Sequence, residues 1–412
     1  MPDRSVDVLI VGAGAAGAGA AEALARDGGF DGSVLMVTRE AHPPYERPPA
    51  SKGYLCGTQS LAETYLHPAE WWAEQGVELA TRTSVMKLDA EARVARLSSK
   101  EEVEFGSALL ATGANVRRLR VPGAELEGIH YLRALGNADS IRADAAEAER
   151  VVLVGGSYIA CEVAASLTSL GKRCTLVMVE QAPLCTGFGD DVGRFFRGVL
   201  ESHGVELVTA DPLAGFEGEG RVARVLTESG RALDADMVVM GTGAVPDVML
   251  ARAAGLELGE SGGVACSARL ETSAPGVWAA GDACEYDSVL HGRRMRIEHW
   301  EVALAQGKAA AAAIAGRPAD FAEVPYFWSD LADWCTLEYI GPAESWDREV
   351  VRGSFDDGSF TVFYLSGDRL AGALTVGRPE ELAQAHRLLA TGADLSGRAD
   401  ALADESTDLA EL

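Results

Sequence analysis

VDVLIVGAGAAGAGAAEAL, residues Val6 to Leu24, is the stretch that decides the fold. An apolar run ends at Gly12, Gly14 and Gly17 follow in GxGxxG spacing, and an alanine-rich segment of helical character comes next. In a strand-turn-helix unit of this kind, the first glycine permits the tight turn. The second lets a diphosphate approach the main chain, and the third allows the helix to pack closely on the strand. The diphosphate then lies over the positive end of a helix. A second apolar strand, Ser33 to Val37, follows at the expected distance.

The pattern returns in VVLVGGSYIACEVAASL, which starts at Val151. The frame now reads Gly155, Ser157 and Ala160, so two of the three glycines are replaced, and Ser157 adds a side chain where the phosphate would approach. Gly156, Tyr158 and Ile159 complete this turn as candidate cofactor contacts. The strand Thr175 to Val179 delivers Glu180, placed to accept hydrogen bonds from a ribose 2'-hydroxyl. The following Gln181-Ala182-Pro183-Leu184 has no cation for a 2'-phosphate, so NADH is favoured over NADPH. The first copy ends on Arg39 and Glu40, either of which could hold the adenosine end of its ligand. Two such units imply a protein that passes electrons between two bound dinucleotides.

The 412 residues carry a formal net charge of -26, which argues against nucleic acid as a partner. Most of this charge serves solubility, but Arg117, Arg118 and Arg120, and again Arg293, Arg294 and Arg296, are local cationic clusters that could dock an acidic partner. The seven cysteines form no CxxC or CxxxxC pair, which disfavours both a dithiol beside a flavin and a zinc ribbon; no metal site is expected. No apolar run is long enough to cross a bilayer, and the first strand starts too early to leave room for a cleaved signal, so a cytoplasmic protein is expected.

Along the chain, the first nucleotide half closes on the strand Ala108 to Ala111 and the turn Thr112-Gly113-Ala114. The second closes on Met237 to Met240 and Gly241-Thr242-Gly243. The strand of TSAPGVWAAGD, Thr272 to Asp282, delivers an aspartate at its carboxyl end, where open parallel sheets bind ligands. A helix over Glu301 to Ala315 precedes alternating runs at Leu337 to Ile340, Phe360 to Leu365 and Leu370 to Val376, and a last helix over Glu380 to Ala390. From Asp394 the composition becomes small and acidic, which predicts a mobile tail.

VLIVGAGAAGAGAAEAL, PPYERPPASKGYL, ATGA, YLRAL, GTGAVPD, TSAPGVWAAGD, RIEHW and PYFWSD occur in the order seen in FAD-dependent ferredoxin and rubredoxin reductases, which the chain resembles from Val6 to Ala390. Apoptosis-inducing factor has the same layout at greater distance. The resemblance implies an α/β glutathione-reductase-like fold with two Rossmann-like dinucleotide-binding domains and a C-terminal α+β domain. The FAD domain would be discontinuous over 1–114 and 244–322. The NADH domain would span 115–243, the C-terminal domain 323–393 and the acidic tail 394–412. The resemblance implies that the FAD diphosphate lies on the loop Gly12, Ala13, Gly14, Ala15, Ala16 and Gly17, with Arg47 neutralising phosphate charge and Lys52 approaching the flavin. Ala111, Thr112, Gly113, Gly243, Gly281 and Asp282 would belong to the cofactor-binding turns. Val85 and Arg133 would line the cofactor, and Glu298, His299, Trp300 and Trp328 would cover flavin and nicotinamide. Glu162 would pair with Lys52, and these two are the candidate catalytic residues.

The activity implied is electron transfer from NADH through FAD to a small iron-sulfur ferredoxin or rubredoxin, feeding a monooxygenase or dioxygenase. The protein itself is expected to be a monomer or weak homodimer. Two alternatives stay open: an NADH oxidase or small-molecule reductase with no protein partner, and an NADH-sensing binding protein resembling apoptosis-inducing factor.

Overall fold

Val8, Leu9 and Ile10 are fully buried because the strand that carries them, Arg4–Val11, lies at the centre of a sheet covered on both faces. The structure, a computed structural model, describes residues 2–26 and 30–412, and by contacts these form two compact units. The first comprises the described residues up to 46 together with 62–115 and 245–327; the second comprises 47–61, 116–244 and 328–412.

In the first unit, Arg4–Val11 pairs in parallel with Val34–Val37 on one side and Glu102–Leu110 on the other. Val77–Ala80 extends the sheet beyond Val34–Val37, and Val277–Ala279 joins Glu102–Leu110, both in parallel. Val94–Leu97 and Val85–Asp89 add an antiparallel flank. The helix Ala15–Arg26 packs on the helix Trp300–Ile314 through alanine and glycine. A Cβ on Gly307 would lie 2.0 Å from the Ala16 carbonyl oxygen, so the two backbones touch where a larger residue could not fit.

In the second unit, five parallel strands run in the order Glu206–Val208, Arg173–Val177, Arg150–Val154, Met237–Met240 and Ile129–Tyr131. The C-terminal sheet is five-stranded, in the order Tyr326–Leu331, Cys335–Ile340, Arg369–Val376, Ser359–Ser366 and Arg348–Ser354, and the helix Pro379–Thr391 packs on it. The expected runs at 337–340, 360–365 and 370–376 fall inside these strands.

Two expectations are revised. The segment 47–61 is continuous in sequence with the first nucleotide half but packs with the second unit, where its residues bond to the helices Tyr158–Ser169 and Leu135–Glu147. The residues after Asp394 are not a loose tail. Leu395, Leu402 and Leu409 are buried, and the guanidinium of buried Arg352 donates to the carbonyls of Asp404 at 2.6 Å and Thr407 at 3.1 Å. Three leucines spaced seven residues apart and one buried arginine outweigh the acidic composition around them. Among the described residues, no helix is long and apolar enough to cross a membrane.

Candidate functional site

The two glycine turns are built alike. Gly12 donates its N–H to the Val37 carbonyl at 2.8 Å, and Gly155 donates to Val177 at 2.8 Å, so each turn is tied to the end of the next strand. Both glycines have positive φ, +110° and +114°. A Cβ on Gly12 would stand 2.1 Å from the Ala111 carbonyl oxygen, and one on Gly155 would stand 2.3 Å from that of Gly241. Only glycine satisfies both the conformation and the space. From Gly12 the chain passes through Ala13 and Gly14 into the helix that begins at Ala15. Gly17 sits against the Gly12 carbonyl, where a Cβ would approach to 1.9 Å.

The two replaced glycines of the second turn are compensated across the turn. Ser157 donates its hydroxyl to the Gly241 carbonyl at 2.9 Å and thereby satisfies a polar group of the strand end. Ala160 faces Gly241, on which a Cβ would come within 2.7 Å of the Ala160 Cβ. The missing small residue has moved from the helix to the facing turn. Glu180 lies beside Gly156, whose added Cβ would be 3.1 Å from Glu180 Oε2. That oxygen is buried and has no hydrogen-bond partner among the described residues, as fits a carboxylate that awaits a ribose hydroxyl. Tyr158 is half-buried, its ring 5.9 Å from that of Phe188, and Ile159 is exposed.

In the first unit, Thr112 donates to the Asp247 carbonyl at 2.6 Å, and Gly113 accepts from the Asp247 N–H at 2.8 Å. Gly281 donates its N–H to Gln306 Oε1 at 2.8 Å. Gln306 is fully buried, and its Nε2 has no partner among the described residues. The sequence reading missed it, although a lone amide on the alanine-rich face of Trp300–Ile314 was a usable signal. Asp282 follows in a half-buried position, and Arg296 donates to its carbonyl at 3.1 Å. Two glycine turns without room for a side chain, with unpaired buried polar atoms on Gln306 and Glu180 beside them, fit two dinucleotides.

Arg39 and Glu40 are engaged locally. Arg39 donates to Asn115 at 2.8 Å and to Asp247 at 3.3 Å, while Glu40 accepts a short hydrogen bond from the Tyr45 hydroxyl. Val85 is half-buried at the edge of the first unit's core, and Trp300 packs against that core. The arginines 293–296 are not a bare cationic patch, because Arg294 pairs with Asp287 at 2.8 Å and Arg296 pairs with Glu298. Arg118 of the other cluster stacks 4.9 Å above the Tyr131 ring.

His299 immediately precedes the helix Trp300–Ile314 without capping it through its side chain, and its ring tilts over Phe327 at 4.5 Å between centroids. Its Nδ1 is sealed from solvent without a hydrogen-bond partner among the described residues. Burial pushes the imidazole down to about 4, against a smaller upward pull from Asp282. A base whose folded-state value lies below its unfolded one costs stability as pH falls from the unfolded value to the folded one. His299 should therefore contribute a loss of roughly 3 kcal/mol between about pH 6.5 and 4. His299→Gln is expected to flatten that part of the pH-stability curve in chemical denaturation; a difference curve flat across the window would show that His299 is solvated.

The second unit brings Lys52 and Glu162 together. Lys52 Nζ lies 2.8 Å from Glu162 Oε1, and the glutamate is almost fully buried on the helix that leaves the second glycine turn. The segment 47–61 is fixed from several sides. Arg47 donates to the Arg133 carbonyl at 2.7 Å, Ser166 donates to the Ser51 carbonyl at 2.7 Å, and the Tyr54 hydroxyl donates to Asp139 at 2.6 Å. Ser51 and Ser329 also donate to Glu162, and neither was singled out from the sequence. Gly243 accepts from the Arg117 N–H at 2.9 Å, and Trp328 sits half-buried one residue before Ser329. All seven cysteines are free.

Comparison with known proteins agrees with this geometry. The pattern described as pyridine nucleotide-disulphide oxidoreductase matches residues 6–307, and a second described as reductase C-terminal matches 326–412. A 5,5'-dehydrodivanillate O-demethylase ferredoxin reductase subunit from Sphingobium sp. is 35% identical over 98% of this chain and 98% of its own. Putidaredoxin reductase from Pseudomonas putida is 33% identical over 98% of this chain and 96% of its own. A solved covalent complex of putidaredoxin reductase with putidaredoxin superposes with a TM-score of 0.92 at 32% identity, over 100% of this chain and 98% of that one. The ferredoxin reductase for the CYP199A2 system from Rhodopseudomonas palustris superposes with a TM-score of 0.93 at 30% identity, over 98% of this chain and 99% of that one. With both glycine turns, the strand order around them and the C-terminal sheet all covered, the chain belongs to the pyridine nucleotide-disulphide oxidoreductase family.

Proposed function

We propose that this protein is an FAD-dependent NADH oxidoreductase that delivers electrons to a small ferredoxin or rubredoxin, which in turn serves a monooxygenase or dioxygenase in the cytoplasm. FAD, when bound, supplies the ability to accept two electrons together and release them singly. The observation that carries the reading is the buried Lys52–Glu162 ion pair, built between the 47–61 segment and the helix of the second glycine turn. A buried carboxylate holding an ammonium in place gives a fixed positive charge, which is what a reduced, anionic cofactor needs. The Gly12 turn is assigned to FAD and the Gly155 turn to NADH, with Glu180 accepting from the ribose. The relatives' names supply the acceptor class: they are reductases of ferredoxin and of putidaredoxin.

Purified protein should be yellow and should be reduced by NADH much faster than by NADPH. Glu180→Ala is expected to weaken NADH binding about tenfold and narrow the preference, because a charge-assisted hydrogen bond to the ribose is lost. Titration of the wild type and the variant with both nucleotides measures this. Equal or faster reduction of the wild type by NADPH would contradict the assignment.

A further inference from the structure

Glu162 accepts three donors at once, and they come from two separate stretches of the chain. Its Oε1 accepts from Lys52 Nζ at 2.8 Å and from Ser329 Oγ at 2.6 Å, and its Oε2 accepts from Ser51 Oγ at 2.5 Å. Ser51 Oγ also lies 3.2 Å from the Pro48 carbonyl, but a hydroxyl has one proton, and the charged acceptor is the nearer. Both serines are 2% exposed, so no bulk water competes for these contacts. Ser329 belongs to the first strand of the C-terminal sheet, far in sequence from the other two residues.

We infer that Ser329, together with Ser51, is a positioning residue for the reaction proposed above: the two hydroxyls fix the plane of the Glu162 carboxylate, and the fixed carboxylate holds Lys52. The terminal torsion of a glutamate is soft, so two buried hydroxyl donors, one on each oxygen, orient the carboxylate independently of the flexible lysine, whereas a single hydroxyl lets it turn together with the ammonium. Lys52 has a long flexible stem and is 20% exposed, which gives its ammonium a route to water once the carboxylate turns. Through Ser329 the C-terminal sheet therefore takes part in holding a charge assigned to the flavin. This inference rests on the proposed function only where kinetics are concerned.

The test uses the flavin-loaded protein and reads Lys52 directly. Acylation by a succinimidyl ester at fixed pH is followed by peptide mass spectrometry, with Lys172 as the internal reference. Ser329→Ala is expected to raise the Lys52-to-Lys172 labelling ratio about threefold or more, Ser51→Ala to act in the same direction, and Ser329→Thr, which keeps the hydroxyl, to restore the wild-type ratio. In single-turnover reduction by NADH, Ser329→Ala should lower the limiting rate about tenfold with little change in the half-saturating NADH concentration. An unchanged or lower labelling ratio in both alanine variants overturns the inference. A raised ratio with a wild-type reduction rate upholds the hold on Lys52 and overturns the assignment of that lysine to the reaction.

Discussion

Lys52→Met is expected to slow reduction of the bound flavin by NADH about 100-fold while the protein stays folded and yellow. The magnitude follows from removing a fixed charge in a site sheltered from water. The fold survives because Glu162 keeps two hydroxyl donors when the ammonium is gone, which moderates the usual penalty for an unpaired buried charge. Glu162→Gln should act in the same direction and less severely, since an amide oxygen still accepts from Lys52. The double variant should be no slower than the worse single one, because both remove the same interaction. Effects that simply multiply would place the two residues in separate roles, against the 2.8 Å separation seen here.

Gly12→Ala is expected to abolish flavin retention. The added methyl would meet the Ala111 carbonyl at 2.1 Å in a backbone of φ +110°, so the turn itself must move, and with it the N–H groups that receive the diphosphate. Absorbance at the flavin bands after gel filtration measures this directly. Gly155→Ala carries the same geometry at the other turn, 2.3 Å from the Gly241 carbonyl, and should spare the flavin while weakening NADH. If Gly12→Ala retained a full complement of FAD, the assignment of the first turn would be wrong.

The parts that were legible from the residues alone share one property: they are local, whereas the distant Lys52–Glu162 pair was expected only from the family resemblance. The Gly12 turn, the strand into it and the helix after it follow from residues within one stretch, and Glu180 follows from its place at the end of a strand. What was not legible depends on residues far apart. Ser157 and Ala160 read as losses until Gly241 is seen opposite them, returning the space and accepting the hydroxyl. Ser51 and Ser329 are ordinary serines until Glu162 brings them together. The acidic composition after Asp394 suggested mobility, yet Leu402, Leu409 and the reach of Arg352 come from packing that composition does not describe. The pairing of Arg294 with Asp287, on the neighbouring strand, is likewise not read from adjacent residues.

Electrons are expected to leave this protein singly, for a small protein carrier. The most direct measurement is steady-state NADH oxidation by the purified protein with a panel of small iron-sulfur ferredoxins and rubredoxins, set against oxygen and a soluble quinone. Turnover with at least one protein carrier should exceed turnover with oxygen or quinone by tenfold or more, about the margin expected where oriented docking adds to chemistry. Comparable turnover with oxygen or quinone and no preferred protein carrier would identify a small-molecule reductase instead.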